Sequence, residues 1–150
     1  MMRLVSFKRW KVMSDAESTK SAYAAIAAGG ADRRSYDPCR NFAMQRSAAY
    51  PAEVLELFES LGIAVDCEAE IHHLARVATA KHSYSGWFHF VGEILSGGDY
   101  AVQISEKTWQ PSLEPVSDRF SLGFTRNVNM VPKPLKDLPL VQIDFSTHLP

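Results

Sequence analysis

The spacing of apolar residues changes along this 150-residue chain, and the changes divide it into segments. Residues 1–13 mix Leu4, Val5, Phe7, Trp10 and Val12 with Arg3, Lys8, Arg9 and Lys11, and neither a helical nor a strand period is clean. Ser14 followed by Glu17 fits a capping box, which predicts an alanine-rich helix to about Ala28, closed by Gly29-Gly30. Asp37-Pro38 predicts a second helix start, with Asp as N-cap and Pro at the first helical position. Tyr50-Pro51 breaks that helix and starts another. In the third helix Val54, Leu55, Leu57, Phe58 and Leu61 form an apolar stripe opposite Glu53, Glu56 and Glu59, and Gly62 stops it.

From Glu70 onward the period becomes two. Ala69–Val77 reads as a strand, and His82–Ser85 as a turn leading into the densest apolar run, Gly86–Leu95. In that run Phe88, Phe90 and Ile94 face one way, while Trp87, His89, Val91 and Glu93 face the other. Gly92 marks a bulge or the close approach of another backbone. Ser96–Asp99 predicts a hairpin loop, with a return strand carrying Tyr100, Val102 and Ile104. Thr108–Ser117 reads as an excursion. Phe120, Leu122 and Phe124, and then Val141, Ile143 and Phe145, alternate in two further strands on either side of a Pro-bearing loop. The expected fold is α+β: N-terminal helices packed on a mainly antiparallel sheet of about five strands.

Hydrophobic residues make up 46% of the chain, enough for a sizeable core. Two cysteines, Cys39 and Cys67, make no disulfide framework and suit a reducing, cytoplasmic setting. No apolar run has the length of a membrane span. Residues 1–35 hold seven Lys/Arg and three Asp/Glu, and residues 36–150 hold nine and fourteen. A basic N-terminal arm over 1–35, read as solvated, is therefore expected before an acidic compact domain over 36–150. An acidic body argues against nucleic acid as the main partner, because neutralising phosphates drives that binding. Glu53 to Glu70 includes six acids and no base, a surface suited to a basic partner or simply to water.

The blocks Cys39-Arg40-Asn41-Phe42, Tyr50-Pro51, Leu61-Gly62-Ile63, Gly86–Gly92 and Leu138–Gln142 resemble a family of small bacterial proteins to which no reaction is assigned. The resemblance runs from about Tyr36 to Phe145 and implies a bacterial, soluble, single-domain protein. Some members of that family carry a second Cys three positions before the one matching Cys39. Tyr36 stands there in this chain, which removes any two-Cys motif.

Among chemistry-bearing residues, Cys39 stands near a helix start, where the dipole lowers a thiol pKa, and His82 or His89 would be its base. The competing reading, favoured because no nucleophile motif surrounds it, is a small packed hydrophobe. His72 and His73 are adjacent, so on a strand they face opposite sides and cannot share a metal; no metal site and no cofactor are expected. Phosphate-loop, dinucleotide and serine-hydrolase motifs are absent from the sequence. The site expected to matter is the second face of the central run: Trp87, His89 and Glu93, with Tyr84 and Trp109 nearby. Three functions compete: a non-catalytic binding or adaptor module using that face or the acidic helix, a small Cys39-dependent enzyme or redox protein, and a small-ligand carrier. The first is preferred, with a protein or small-molecule partner. The oligomeric state is left open.

Overall fold

The computed structural model describes residues 2–27, 29–31, 37–78 and 81–150, with side chains at all of them except 47, 75–78, 102–104 and 108–111. Its elements in order are β1 (Arg3–Phe7), β2 (Trp10–Ser14), α1 (Ala16–Ala24), α2 (Asp37–Ala49), α3 (Ala52–Leu61), β3 (Glu70–Ala78), β4 (Lys81–Ser96), β5 (Ala101–Ser105), β6 (Thr108–Pro111), β7 (Glu114–Ser117), β8 (Phe120–Thr125) and β9 (Leu140–Leu149). The α+β class holds, but the sheet has seven strands, and the chain opens with a hairpin before its helices. The order is β1-β2-β4-β9-β8-β7, with β3 also on β4; β5 and β6 form a separate ladder. All of these pairings are antiparallel.

The residues read as a basic arm thus supply sheet. Trp10 is fully buried and stacks on Phe124 of β8 with ring centroids 4.9 Å apart. Its indole N–H donates to the Gly98 carbonyl at 2.9 Å. Arg9, in the β1–β2 turn, pairs with Glu114 of β7. The two ends of the strand order are therefore drawn together, and the sheet curls around its core, as right-handed strand twist favours. The short apolar–cationic alternation at residues 3–14 concealed two strands because five residues give too few periods to count.

Helix α3 forms as its pattern predicts, with Val54, Leu57, Phe58 and Leu61 buried. Leu55, at the margin of the apolar stripe, is exposed instead. Gly62 adopts φ +81° and ends the helix, its N–H bonding to the Glu59 carbonyl while the Ile63 N–H reaches Phe58. Phe58 meets Phe88 of β4 at 4.8 Å. Phe42 and Tyr50 from the α2 side, with Phe120 and Phe145 from β8 and β9, complete an aromatic core.

The central run belongs to a strand of 16 residues, and the expected turn at His82–Ser85 lies within its first third. One edge of β4 pairs with β9 from His82 to Val91. The other edge is shared: β3 takes residues 81–87 and β2 takes 92–96. The gap between them is closed by α1, whose N-cap is Asp15, not Ser14. Asp15 N–H donates to the Val91 carbonyl at 2.8 Å, Thr19 Oγ1 accepts from the Val91 N–H at 2.9 Å, and the Tyr23 hydroxyl serves both backbone groups of His89. A helix poor in large apolar residues is thus held by polar groups aimed at a strand edge, where unpaired backbone would be costly. Gly92 lies at the corner where β4 passes from α1 to β2. A Cβ there would sit 2.1 Å from the Met13 carbonyl oxygen, the close approach its position implied.

The acidic stretch is not uniformly solvated. Glu68 is fully buried and pairs with Arg46 of α2 at 2.8 Å, while its Oε1 also accepts from the Ala31 N–H. Glu70 is also buried. Tyr36, the expected domain boundary, lies outside the described residues.

Candidate functional site

The sequence left two readings of the face opposite the helices: an open aromatic patch, or a face covered by the 108–118 excursion or the N-terminal segment. Across it, β4, β9 and β8 align Trp87 with Asp144 and Gly123, and His89 with Gln142 and Thr125. His89 is 0% exposed. Its Nε2 lies 3.0 Å from Gln142 Oε1, which also accepts the Asn129 N–H at 2.7 Å. Since that oxygen can only accept, His89 carries its proton on Nε2, and its Nδ1 is a buried acceptor without a partner among the described residues. Gln142 Nε2 donates to Asp144 Oδ1 at 2.6 Å, and the Tyr100 hydroxyl donates to Asp144 Oδ2. Asp99 accepts from Thr125 Oγ1 and from the amides of Ala101 and Arg126.

This is a one-directional chain of donors ending on a carboxylate. Burial dominates its titration: it pushes the His89 imidazole down to about 4, against the Gln142 hydrogen bond. Burial likewise holds the Asp144 carboxyl above the usual range, although Tyr100 and Gln142 oppose it. Burial and the adjoining Asp144 raise the Tyr100 phenol. Tyr100 crosses the sheet at Gly123, where a Cβ would stand 2.5 Å from its own Cβ. The 126–131 loop lies over the same face, its Asn129 carbonyl accepting the Trp87 indole N–H at 3.0 Å. The face is therefore largely a covered polar seam. Of the residues expected to form the site on this face, Trp87, half-buried beside His72, and Glu93, exposed at the far end of β4, keep access to solvent.

The other expected members are elsewhere. Tyr84 points into the helix-side core, four residues from Phe88 on the same face, and its hydroxyl bonds Asn41 and the Pro38 carbonyl. His82 and His89 are seven residues apart on one straight strand, hence on opposite faces, and do not meet. His82 instead lies against His73 at 2.8 Å between ring nitrogens, with Tyr84 beside His73. His72 and His73 diverge as expected, one toward Trp87 and one toward His82. Cys39, in the first turn of α2, faces the core and is 0% exposed. Trp109 lies on β6 opposite Gln103, not on the main sheet, and its side chain is outside the described set. The expected return strand from Tyr100 pairs with β6 and not with β4. Among the described residues no group of three or more metal-ligating side chains is assembled.

Two open depressions flank α3, and the sequence marked neither beyond its acidic face. The first is a cleft of about 480 Å³ lined by Tyr23, Ile63, Ala64 and Cys67, with Lys20 and Asp66 at its mouth. Burial and the neighbouring Asp66 push the Cys67 thiol up to about 11, so it is neutral near pH 7. The second is a groove of about 260 Å³ between α3 and β1. Its floor is Val5, Phe7 and Leu57, and its wall is Glu53, Glu56 and Ser60. It continues past Glu59 toward Arg3 and Lys20. Glu53, Glu56 and Glu59 are all exposed. Lys8 approaches Glu53 only to 4.0 Å, and among the described residues Glu56 and Glu59 have no ion-pair partner. No helix is long and apolar enough to cross a membrane among the described residues.

Compared with known proteins, the chain matches no family model, no curated protein and no solved structure.

Proposed function

We propose that this chain is a non-catalytic binding module, working in the cytoplasm, whose recognition surface is the groove between α3 and β1. The observation that carries this reading is the pairing of an apolar floor with two exposed carboxylates, of which Glu53 has Lys8 4.0 Å away and Glu56 has no ion-pair partner among the described residues. Such a surface is complementary to a partner with apolar and basic groups. The Trp87 face carries less of the argument, because His89, Gln142 and Asp144 spend their polar groups on one another. Cys39, buried on the core side of α2, weighs against a thiol-dependent enzyme.

Capture of proteins from the native lysate by immobilised chain tests the reading. Wild type and Trp87→Ala recover the same partner, and Glu53→Lys/Glu56→Lys loses it. Recovery of the same proteins by the charge-reversed variant overturns it.

A second reading is favoured by the cleft at Tyr23, Ile63 and Cys67, whose walls are mostly apolar with a few polar groups at the mouth. It takes the chain as a small-ligand carrier. A thermal-shift screen of small apolar acids and amines, repeated on Ala64→Trp to fill the cleft, separates it from the first.

A further inference from the structure

The groove has a second property that its charge does not supply. Its floor strand, β1, pairs among the described strands with β2 alone, so its other edge is open. Arg3 to Phe7 contains no proline, and its two neighbouring cations, Lys8 and Arg9, sit in the turn and not on the edge. In a hairpin closed by two residues, the flanking pair Phe7 and Trp10 exchange both backbone bonds, as do Val5 with Val12. The N–H and C=O groups of Leu4 and Ser6 therefore point outward along the free edge. The strand carries no proline, no bulge and no lysine, and its one charged residue, Arg3, stands at its first position.

Resting on the reading of the groove as the recognition surface, we infer that the partner is an extended, basic protein segment that adds to β1 as a further strand. It lies in the groove with α3 as its other wall. Its backbone pairs with Leu4 and Ser6. On one face its apolar side chains enter the floor at Val5, Phe7 and Leu57, and its Lys or Arg side chains meet Glu53 and Glu56. Backbone pairing supplies affinity, and the alternate side chains supply selection.

Charge decides between this occupant and a second copy of the chain. Two β1 edges paired about a dyad bring two α3 rows together, each with Glu53, Glu56 and Glu59, and like charges so placed oppose association. A basic segment removes that opposition. Cations stand at both ends of the row, Lys8 by Glu53 and Arg3 with Lys20 by Glu59, so Glu56 is the carboxylate most open to a basic residue of the segment.

The test uses a labelled peptide of about eight residues alternating Lys and Val, with blocked ends, followed by anisotropy at about 0.15 M salt. A second probe is the same peptide N-methylated at alternate amides, which keeps its charge and removes its strand donors. The proteins are wild type, Glu53→Lys/Glu56→Lys, and Ser6→Pro. Proline at Ser6 takes an N–H from the free edge and none from the β1–β2 ladder. The expected result is binding by wild type, weakened by about tenfold or more in the charge-reversed protein, in Ser6→Pro and with the methylated peptide. If only charge reversal weakens binding, strand addition is overturned and the acidic groove stands. If the Lys/Val peptide does not bind, or binds the charge-reversed protein equally well, both fall. Self-association of wild type that Ser6→Pro abolishes overturns the basic segment in favour of a second copy.

Discussion

The hydroxyl of Tyr23 donates to the His89 carbonyl at 2.7 Å and accepts from the His89 amide at 3.1 Å. One side chain on α1 thereby takes the place of a strand neighbour at the middle of β4. Tyr23→Phe leaves two buried backbone groups unpaired and is expected to destabilise by about 2 kcal/mol, lowering Tm by roughly 4–8 °C. Tyr50→Phe is the control. The Tyr50 hydroxyl is buried without a partner among the described residues, so its removal is expected to be neutral or stabilising. Urea unfolding of the two variants checks both; equal losses would contradict the edge role of Tyr23.

His89 gives the stability a pH dependence with a definite sign. Its folded pKa is depressed from 6.5 to about 4 by burial. The folded state binds fewer protons than the unfolded state between those values. The contribution is present above 6.5 and is lost as pH falls toward 4, by about 3 kcal/mol over the window. Asp144 runs the other way: its raised pKa means the folded state holds a proton more readily, so its own effect favours folding as pH falls. His89→Gln keeps a donor toward Gln142 and removes the titration. Urea midpoints at about pH 7 and about pH 4.5 are expected to differ less in this variant than in wild type. An unchanged difference would place the pH response elsewhere.

Gly92→Ala puts a methyl against the Met13 carbonyl oxygen, a backbone atom that can move only with β2. A loss of about 2–3 kcal/mol is expected. The displacement also reaches Trp10, four residues from Ser14, whose indole is packed on Phe124. A shift in Trp10 fluorescence, read in a Trp87→Phe/Trp109→Phe background, is the specific sign. Stability loss with unchanged Trp10 emission would point to a cause other than the β2–β4 junction.

Neither thiol is placed to act as a nucleophile near neutral pH. Cys39 is sealed in the core, and burial keeps the Cys67 thiol protonated. Slow alkylation of Cys67, little of Cys39, and rapid modification of both in denaturant are expected at about pH 7.5. Rapid labelling of Cys39 in the folded protein would revive the thiol-dependent reading.

Much of the helical half of the fold was legible, because α3 offers a long, regular signal in Val54, Leu57, Phe58 and Leu61 with a glycine stop. The alternating strands β8 and β9 were legible for the same reason. The β1–β2 hairpin was not: it is short, and its cations sit in the turn and on the exposed face. The burial of His89 was also hidden. Alternation assigns a residue to a face but says nothing of what lies over that face, and here Tyr100 and the Asn129 loop cover it. Alternation did predict that His72 and His73 diverge. It would also have separated His82 from His89, had the strand been recognised as starting at Lys81. The groove was half visible, since Glu53 and Glu56 mark its wall, but two of its three floor residues, Val5 and Phe7, come from more than 40 positions earlier.

Amide and indole chemical-shift mapping of labelled protein with the Lys/Val peptide tests the central claim most directly. Shifts concentrated at residues 3–7 and 52–60, with the Trp87 indole silent, are the predicted result. Shifts centred on Trp87, His72 and the Asn129 loop, with β1 and α3 silent, would contradict it.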